Sequence, residues 1–195
     1  MAPSKHIDFQ QILHTAISLA DQNGFEAVTL ASVAAQLGIR IPSLYNHISG
    51  LPGLRYEMTL WTFNQACDLM RRAAVGKSGD EAIISISDTL RAFALAHPGI
   101  YPLTQRAMIG YQAELVAAQE EILGIFVAAL RPYGFANDDA LHAVRAFRSV
   151  VHGFIVLEIS GGFGMDLNRD ESFRLLIQML IAGLQASRSA EKISS

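Results

Sequence analysis

The run TLASVAAQLGIRIPSLYNHISGLPGL, residues 29–54, constrains the fold of this chain more tightly than any other stretch. Thr29 is a good helix N-cap, its hydroxyl able to accept from the unpaired amides of a first turn. Leu30, Val33, Ala34 and Leu37 then recur at i, i+3, i+4 and i+7, one apolar stripe on a short helix. Gly38 stands where a left-handed residue ends that helix. Pro42 stands where a second helix can begin without losing a needed amide. On that second helix Leu44 and Ile48 point the same way, with Ile41 close by, and are expected to anchor it inward. Pro42, Ser43, Asn46 and, on the flanks, Tyr45 and His47 face out. An outer face with hydroxyls, an amide and an imidazole, but no Lys–Glu pairs, is built for contact with a hydrogen-bonding partner. Two short helices around a glycine corner are the arrangement that lays one helix in the major groove of DNA.

The pattern T-x3-V-A-x2-L-G-I-x2-P-S-L-Y-x-H-I, from Thr29 to Ile48, resembles the DNA-binding motif of the tetracycline-repressor (TetR) family of bacterial transcriptional regulators. Leu44 to His47 is its most specific part. Upstream, Ile12, Leu13, Ala16, Ile17 and Ala20 before Asn23-Gly24-Phe25 are similar to the family's first helix and closing turn. A second resemblance lies in VVHGFIVLEISGGFG, Val150 to Gly164, which is similar to a His-Gly-containing ligand-domain subgroup. The resemblance implies an all-α homodimer: a three-helix DNA-binding domain over residues 1–55, a ligand-binding and dimerisation domain over 56–187, and a flexible tail over 188–195. It also implies that the last two long helices pair with those of a second subunit. The partners it implies are a palindromic double-stranded operator and a small, largely apolar inducer.

Bulk properties limit the alternatives. With 51% apolar and 17% charged residues, disorder is excluded. A mean hydropathy of +0.27 points to surfaces that a partner covers. No uninterrupted apolar run reaches the roughly 18 residues of a membrane span. The first residues, MAPSKHIDFQQ, carry no apolar signal segment, so a cytoplasmic location is expected. The single cysteine, Cys67, permits no internal disulfide.

Net charge is −3, and over residues 1–55 Lys5, Arg40 and Arg55 are balanced by Asp8, Asp21 and Glu26. Cationic side chains supply most non-specific affinity for phosphate backbones. A neutral reading domain therefore depends on dimerisation, helix dipoles and backbone amides. The same balance keeps open a second reading, a small-molecule-binding helical dimer with weak or lost DNA binding.

Proline and glycine punctuate an otherwise helical text without strand-like alternation. Helices are expected from about Ile7 to Asn23, in the two reading helices, from Pro52-Gly53 to about Val75, and from Asp80 to Ala96. A short segment from Ile100 to Ala107 follows. Further helices are expected from Tyr111 to Leu130, from an Asp138 cap to about Ser160, and from Glu171 to Ala186, with a frayed tail from Ser187. The last two are apolar on more than one side, through Leu141, Val151, Ile155, Leu175, Met179 and Ile181 among others. A helix apolar all round is buried all round.

For DNA, the candidate residues are Ser43, Tyr45, Asn46 and His47 on the second reading helix. Thr29 and the run Arg40, Ile41 and Pro42 complete the set. Asn pairs with adenine, serine is versatile, and Tyr, His and Arg bond phosphates. Tyr45 alone is equally well explained as a ring packed across the reading unit.

For the inducer, the central helices offer Trp61, Phe93, Tyr101, Met108, Tyr111, Phe126 and Phe154, with His97, Arg106 and His152 as polar groups that would fix orientation. Each aromatic alone is ordinary core. His152 and Glu158 lie six apart, on different sides of one helix. Catalytic and metal readings find no support: the six histidines form no HxxxH pair, there is no CxxC, no nucleophile elbow and no phosphate-binding glycine loop. Gly161-Gly162-Phe163-Gly164 follows a helix and reads as a turn. No cofactor is expected.

Overall fold

Helix starts in this chain are written by side chains that accept from free amides. Asp8 caps α1 (Phe9–Asn23) in a reciprocal box, its carboxylate accepting from the Gln11 amide at 2.8 Å while Gln11 accepts from the Asp8 amide at 3.1 Å. Thr29 caps α2 (Leu30–Leu37) in the same way with Ser32. Gly38 ends α2 at φ 70° and ψ 34°, the left-handed conformation that glycine enters freely. The computed structural model describes residues 7–105 and 112–194. Beyond α2 it contains α3 (Ile41–Leu44), α4 (Gly50–Ala74), α5 (Asp80–Ala96), α6 (Ala113–Leu130), α7 (Asn137–Ile159) and α8 (Arg169–Ser194). Three short 3-10 turns, Phe25–Ala27, Tyr101–Gln105 and Arg131–Tyr133, complete the described residues, which include no strand.

The described residues fall into two compact units, divided inside α4 between Asn64 and Gln65. The first runs up to Asn64 and takes in a segment from much later in the chain that begins at His97. Its core gathers Ile12, Leu13, Ala16 and Ile17 of α1, Val33 and Ala34 of α2, Leu44, Ile48, Leu54 and Met58. Ile100 and Leu103 of the later segment complete the same core. Each Ile, Leu, Val or Met side chain among them contributes about 1.5–3 kcal/mol on leaving water.

The later segment is held by more than apolar contact. Asp21, near the end of α1, accepts from the Gly99 amide at 3.0 Å and lies 2.8 Å from His97 Nδ1. Trp61 stands edge-on to His97 and to His14, with ring centroids 5.5 and 6.0 Å apart. At Gly99 backbone meets backbone: a Cβ there would lie 1.9 Å from the Ala20 carbonyl oxygen.

The second unit packs α5, α6, α7 and α8 around Ile83, Ile86, Phe93, Phe126, Phe147, Ile155, Phe173 and Ile177. Asp80, at the start of α5, accepts from the Tyr133 hydroxyl at 2.5 Å and from Gln185 at 2.9 Å. Cys67 is buried and donates to the Ala118 carbonyl at 3.2 Å; burial, then Glu121, pushes its thiol up to about 11, so it is inert packing. By length and composition α7 could cross a membrane, yet Val144, Phe147, Val151 and Ile155 along it are core residues of this unit.

Four local expectations are corrected. Ile41 is 40% exposed and does not anchor α3, because Leu44 and Ile48 already fill the inner face. The second reading helix has a single α-helical turn, carried on by a turn through His47. Asp138 does not cap α7; it lies in the first turn behind Ala136, where a carboxylate favours the positive end of the helix dipole. Finally, α8 runs on to Ser194 instead of ending at Ala186, over a stretch whose Ala, Arg, Glu and Lys are good helix formers.

Candidate nucleic-acid interface

Two buried residues four apart decide what α3 shows to solvent. Leu44 is fully buried and Ile48 nearly so, and both belong to the core of the first unit. The Ile48 amide donates to the Leu44 carbonyl at 3.0 Å and the His47 amide to the same oxygen at 2.9 Å, so helical winding continues past Leu44. Everything else from Arg40 to His47 is exposed: Arg40, Ile41, Pro42, Ser43, Tyr45, Asn46 and His47. Tyr45 exposes 59% of its surface. A rod fixed at two points along one side presents the rest of its circumference, which is what reading a groove requires.

Thr29 is also exposed, but its hydroxyl oxygen accepts from the Ser32 amide at 3.0 Å, so its side chain first serves the helix. Arg40 precedes α3 in extended backbone and makes no capping bond. Arg55, the other described cation of the motif region, is committed elsewhere. It pairs with Glu26 at 2.9 Å and lies over the Phe25 ring.

The residues assigned to an inducer are divided between the two units. Trp61, His97 and Tyr101 belong to the first unit, where His97 is held by Asp21 and Tyr101 is fully buried. Phe93, Phe126, His152 and Phe154 belong to the second. There Phe126 packs on Phe147 at 4.8 Å, and Phe154 on Phe163 and Phe173 at 4.8 and 5.0 Å. Burial, with Arg148 adding to it, holds the His152 imidazole down to about 4, so it is neutral at physiological pH. Arg106, Met108 and Tyr111 lie outside the described residues. Among the described residues no three of His, Cys, Asp or Glu gather as a metal set.

Sequence reasoning missed the strongest polar cluster. Arg91 on α5 donates to both oxygens of buried Glu158 at 2.7 Å and pairs with Asp170 at 2.8 Å, its guanidinium lying over Phe173 and Phe154. Glu158 thus answers to its own chain. Its partner lies 67 residues back, and no local spacing reveals it.

Comparison with known proteins agrees with this geometry. Residues 12–49 match the model of bacterial regulatory proteins of the tetR family, and residues 83–180 match a tetracyclin repressor-like C-terminal domain. An uncharacterised HTH-type transcriptional regulator of Bacillus subtilis, YobS, is 31% identical over 185 residues, 94% of this chain and 96% of that protein. A second, Rv0681 of Mycobacterium tuberculosis, is 30% identical over 177 residues, 90% of this chain and 81% of that protein. Among solved structures, the Streptomyces coelicolor TetR family protein ActR in complex with (S)-DNPA superimposes with a TM-score of 0.63 at 18% identity, covering 94% of this chain and 100% of that one.

Proposed function

The chain belongs to the TetR family of DNA-binding transcriptional regulators, and from that premise we propose that it is a ligand-released repressor acting as a homodimer on a palindromic operator. One observation carries the reading: the exposed run Arg40–Ser43 and Tyr45–His47, fixed from behind by Leu44 and Ile48. Asn46 and Ser43 read base edges; Tyr45, His47, Arg40 and Thr29 contact the phosphate backbone, with Ile41 and Pro42 against the groove wall. The second copy docks through α7 and α8, where Leu157, Leu175 and Met179 stay 49%, 42% and 70% exposed in one chain. Two heads one duplex turn apart make the operator a palindrome and join two modest affinities.

Release follows if a small molecule binds one dimer shape more tightly than the other, and the coupling is then reciprocal: operator DNA weakens ligand binding by the same factor. ActR, a structural neighbour, holds a small molecule, which is consistent with a ligand in the second unit here, among Phe93, Phe126, His152 and Phe154.

The test is fluorescence anisotropy on the chain's own promoter at low and at physiological salt. Tyr45→Ala with His47→Ala should abolish binding while dimerisation and melting temperature stay nearly unchanged; unchanged affinity would overturn the assignment of this face. A second reading, a ligand-binding dimer with little DNA affinity, is favoured by the commitment of Arg55 to Glu26, which takes a cation from the phosphate grip. It predicts no binding even at low salt.

A further inference from the structure

Where α7 gives way to α8, the loop 161–168 folds back over Phe154 and borders a half-open pocket of about 340 Å3, within the range that takes a small organic molecule. Its walls are Phe154, Phe163, Met165 and Leu167, with Arg169 and Ser172 supplying the polar groups. The loop can turn this tightly because Gly162 has no side chain: a Cβ there would lie 3.0 Å from Leu157 Cδ2 and 3.1 Å from its carbonyl oxygen.

The aromatic wall is held in place from behind. Phe154 leans on Phe163 and Phe173, and Arg91, itself fixed by Glu158 and Asp170, lies over the rings of Phe154 and Phe173. Met165 and Leu167, by contrast, expose 77% and 65% of their surface, an unfavourable display that a bound apolar body would cover. The electrostatics name the other half of the ligand. Among the described residues Arg169 is the one ionised group of the lining, which includes no carboxylate. Asp170 beside it in sequence is turned to Arg91, and Glu171 lies 3.9 Å from Arg174. An amine would meet the Arg169 cation, whereas a carboxylate would find its guanidinium; the Ser172 hydroxyl is already given to the Asn168 carbonyl at 3.1 Å.

We propose that this α7–α8 corner binds a small aromatic carboxylic acid, its ring system between Phe154, Phe163, Met165 and Leu167 and its carboxylate on Arg169. The site rests on the ligand-responsive reading above only for its regulatory meaning; the binding claim stands by itself. It is separate from the Phe93–Phe126–His152 interior, with which it shares Phe154 alone.

Titration calorimetry on the full-length chain tests it, with benzoate, 1-naphthoate and 2-anthroate, and with 1-naphthamide and 1-naphthylmethylamine as the neutral and cationic controls. At least one acid should bind once per chain, and naphthoate at least tenfold more tightly than its amide. Arg169→Gln should erase the difference between acid and amide without moving the melting temperature, while Phe163→Ala should weaken both alike. No binding by any acid at millimolar concentration overturns the proposal. So does equal affinity for acid and amide, or an acid preference that survives Arg169→Gln. Promoter anisotropy read alongside separates the two readings: acids that bind but leave DNA bound deny this corner a regulatory role and leave the site standing.

Discussion

The two units solve the same problem, keeping a small core shut, in opposite ways, and they leave opposite surfaces open. The first closes with backbone against backbone at Gly99 and Ala20 and a carboxylate, Asp21, that accepts from a distant amide. The second closes with a buried ion pair, Arg91–Glu158, sandwiched against phenylalanines. What the first shows water, from Arg40 to His47, is largely polar and costs little to leave exposed. What the second shows along α7 and α8 includes Leu157, Leu175 and Met179, which is costly unless something covers it. The polar run suits hydrated nucleic acid, and the apolar one suits the second copy proposed above.

One substitution, made once in each unit, tests the contrast most harshly. Gly99→Ala should cost about 4 kcal/mol or prevent folding, since a Cβ cannot share space with the Ala20 carbonyl. Gly124→Ala, on α6 with nothing within 4 Å of the new Cβ, should instead gain about 0.5–1 kcal/mol. Urea unfolding of both variants measures the difference in sign.

The ion pair comes next. Arg91→Met strands a buried carboxylate and should cost about 3 kcal/mol, whereas Arg91→Met with Glu158→Met should recover most of that loss. A double variant no better than the single one would mean the pair stabilises the second unit in its own right.

His152 gives a pH signature confined to the second unit. Its folded value lies near 4, below the ordinary 6.5, so the unfolded chain binds the proton more readily. Stability is therefore complete above about pH 6.5 and is lost as pH falls towards 4, by about 2 kcal/mol between pH 7 and pH 5. His152→Gln should flatten that slope in urea midpoints taken across the range.

Smaller effects on the fold should accompany larger effects on assembly and DNA. Met179→Lys should change chain stability by less than about 1 kcal/mol yet shift sedimentation from dimer to monomer, and a surviving dimer would place the interface elsewhere. Asn46→Ala should move the melting free energy by less than about 0.5 kcal/mol while lowering promoter affinity more than tenfold.

What could be read in advance was local. Leu44 and Ile48 are four apart, Gly38 follows the last apolar residue of its helix, and Thr29 precedes the first; each signal lies within one or two turns of the residue it places. Ile41 misled because it is apolar and within one turn of Leu44, but periodicity counts positions and does not reserve space for them. The division of the inducer candidates between two units was hidden for a related reason. Helical spacing marks which side of a helix faces inward, not which of two cores that side enters, so it does not reveal that Trp61 and Tyr101 belong to one unit and Phe126 and Phe154 to the other. The pairs Asp21–His97 and Arg91–Glu158, 76 and 67 residues apart, left no trace in spacing at all.

The meeting of Gly99 with Ala20 carries a mechanical meaning. Side chains give: rotamers turn and methyl groups slide, and a small push is absorbed within one layer of packing. Two polypeptide backbones pressed together have no such cushion. Any displacement of the segment that begins at His97 would therefore press directly on α1, whose side chains share one core with Leu44 and Ile48.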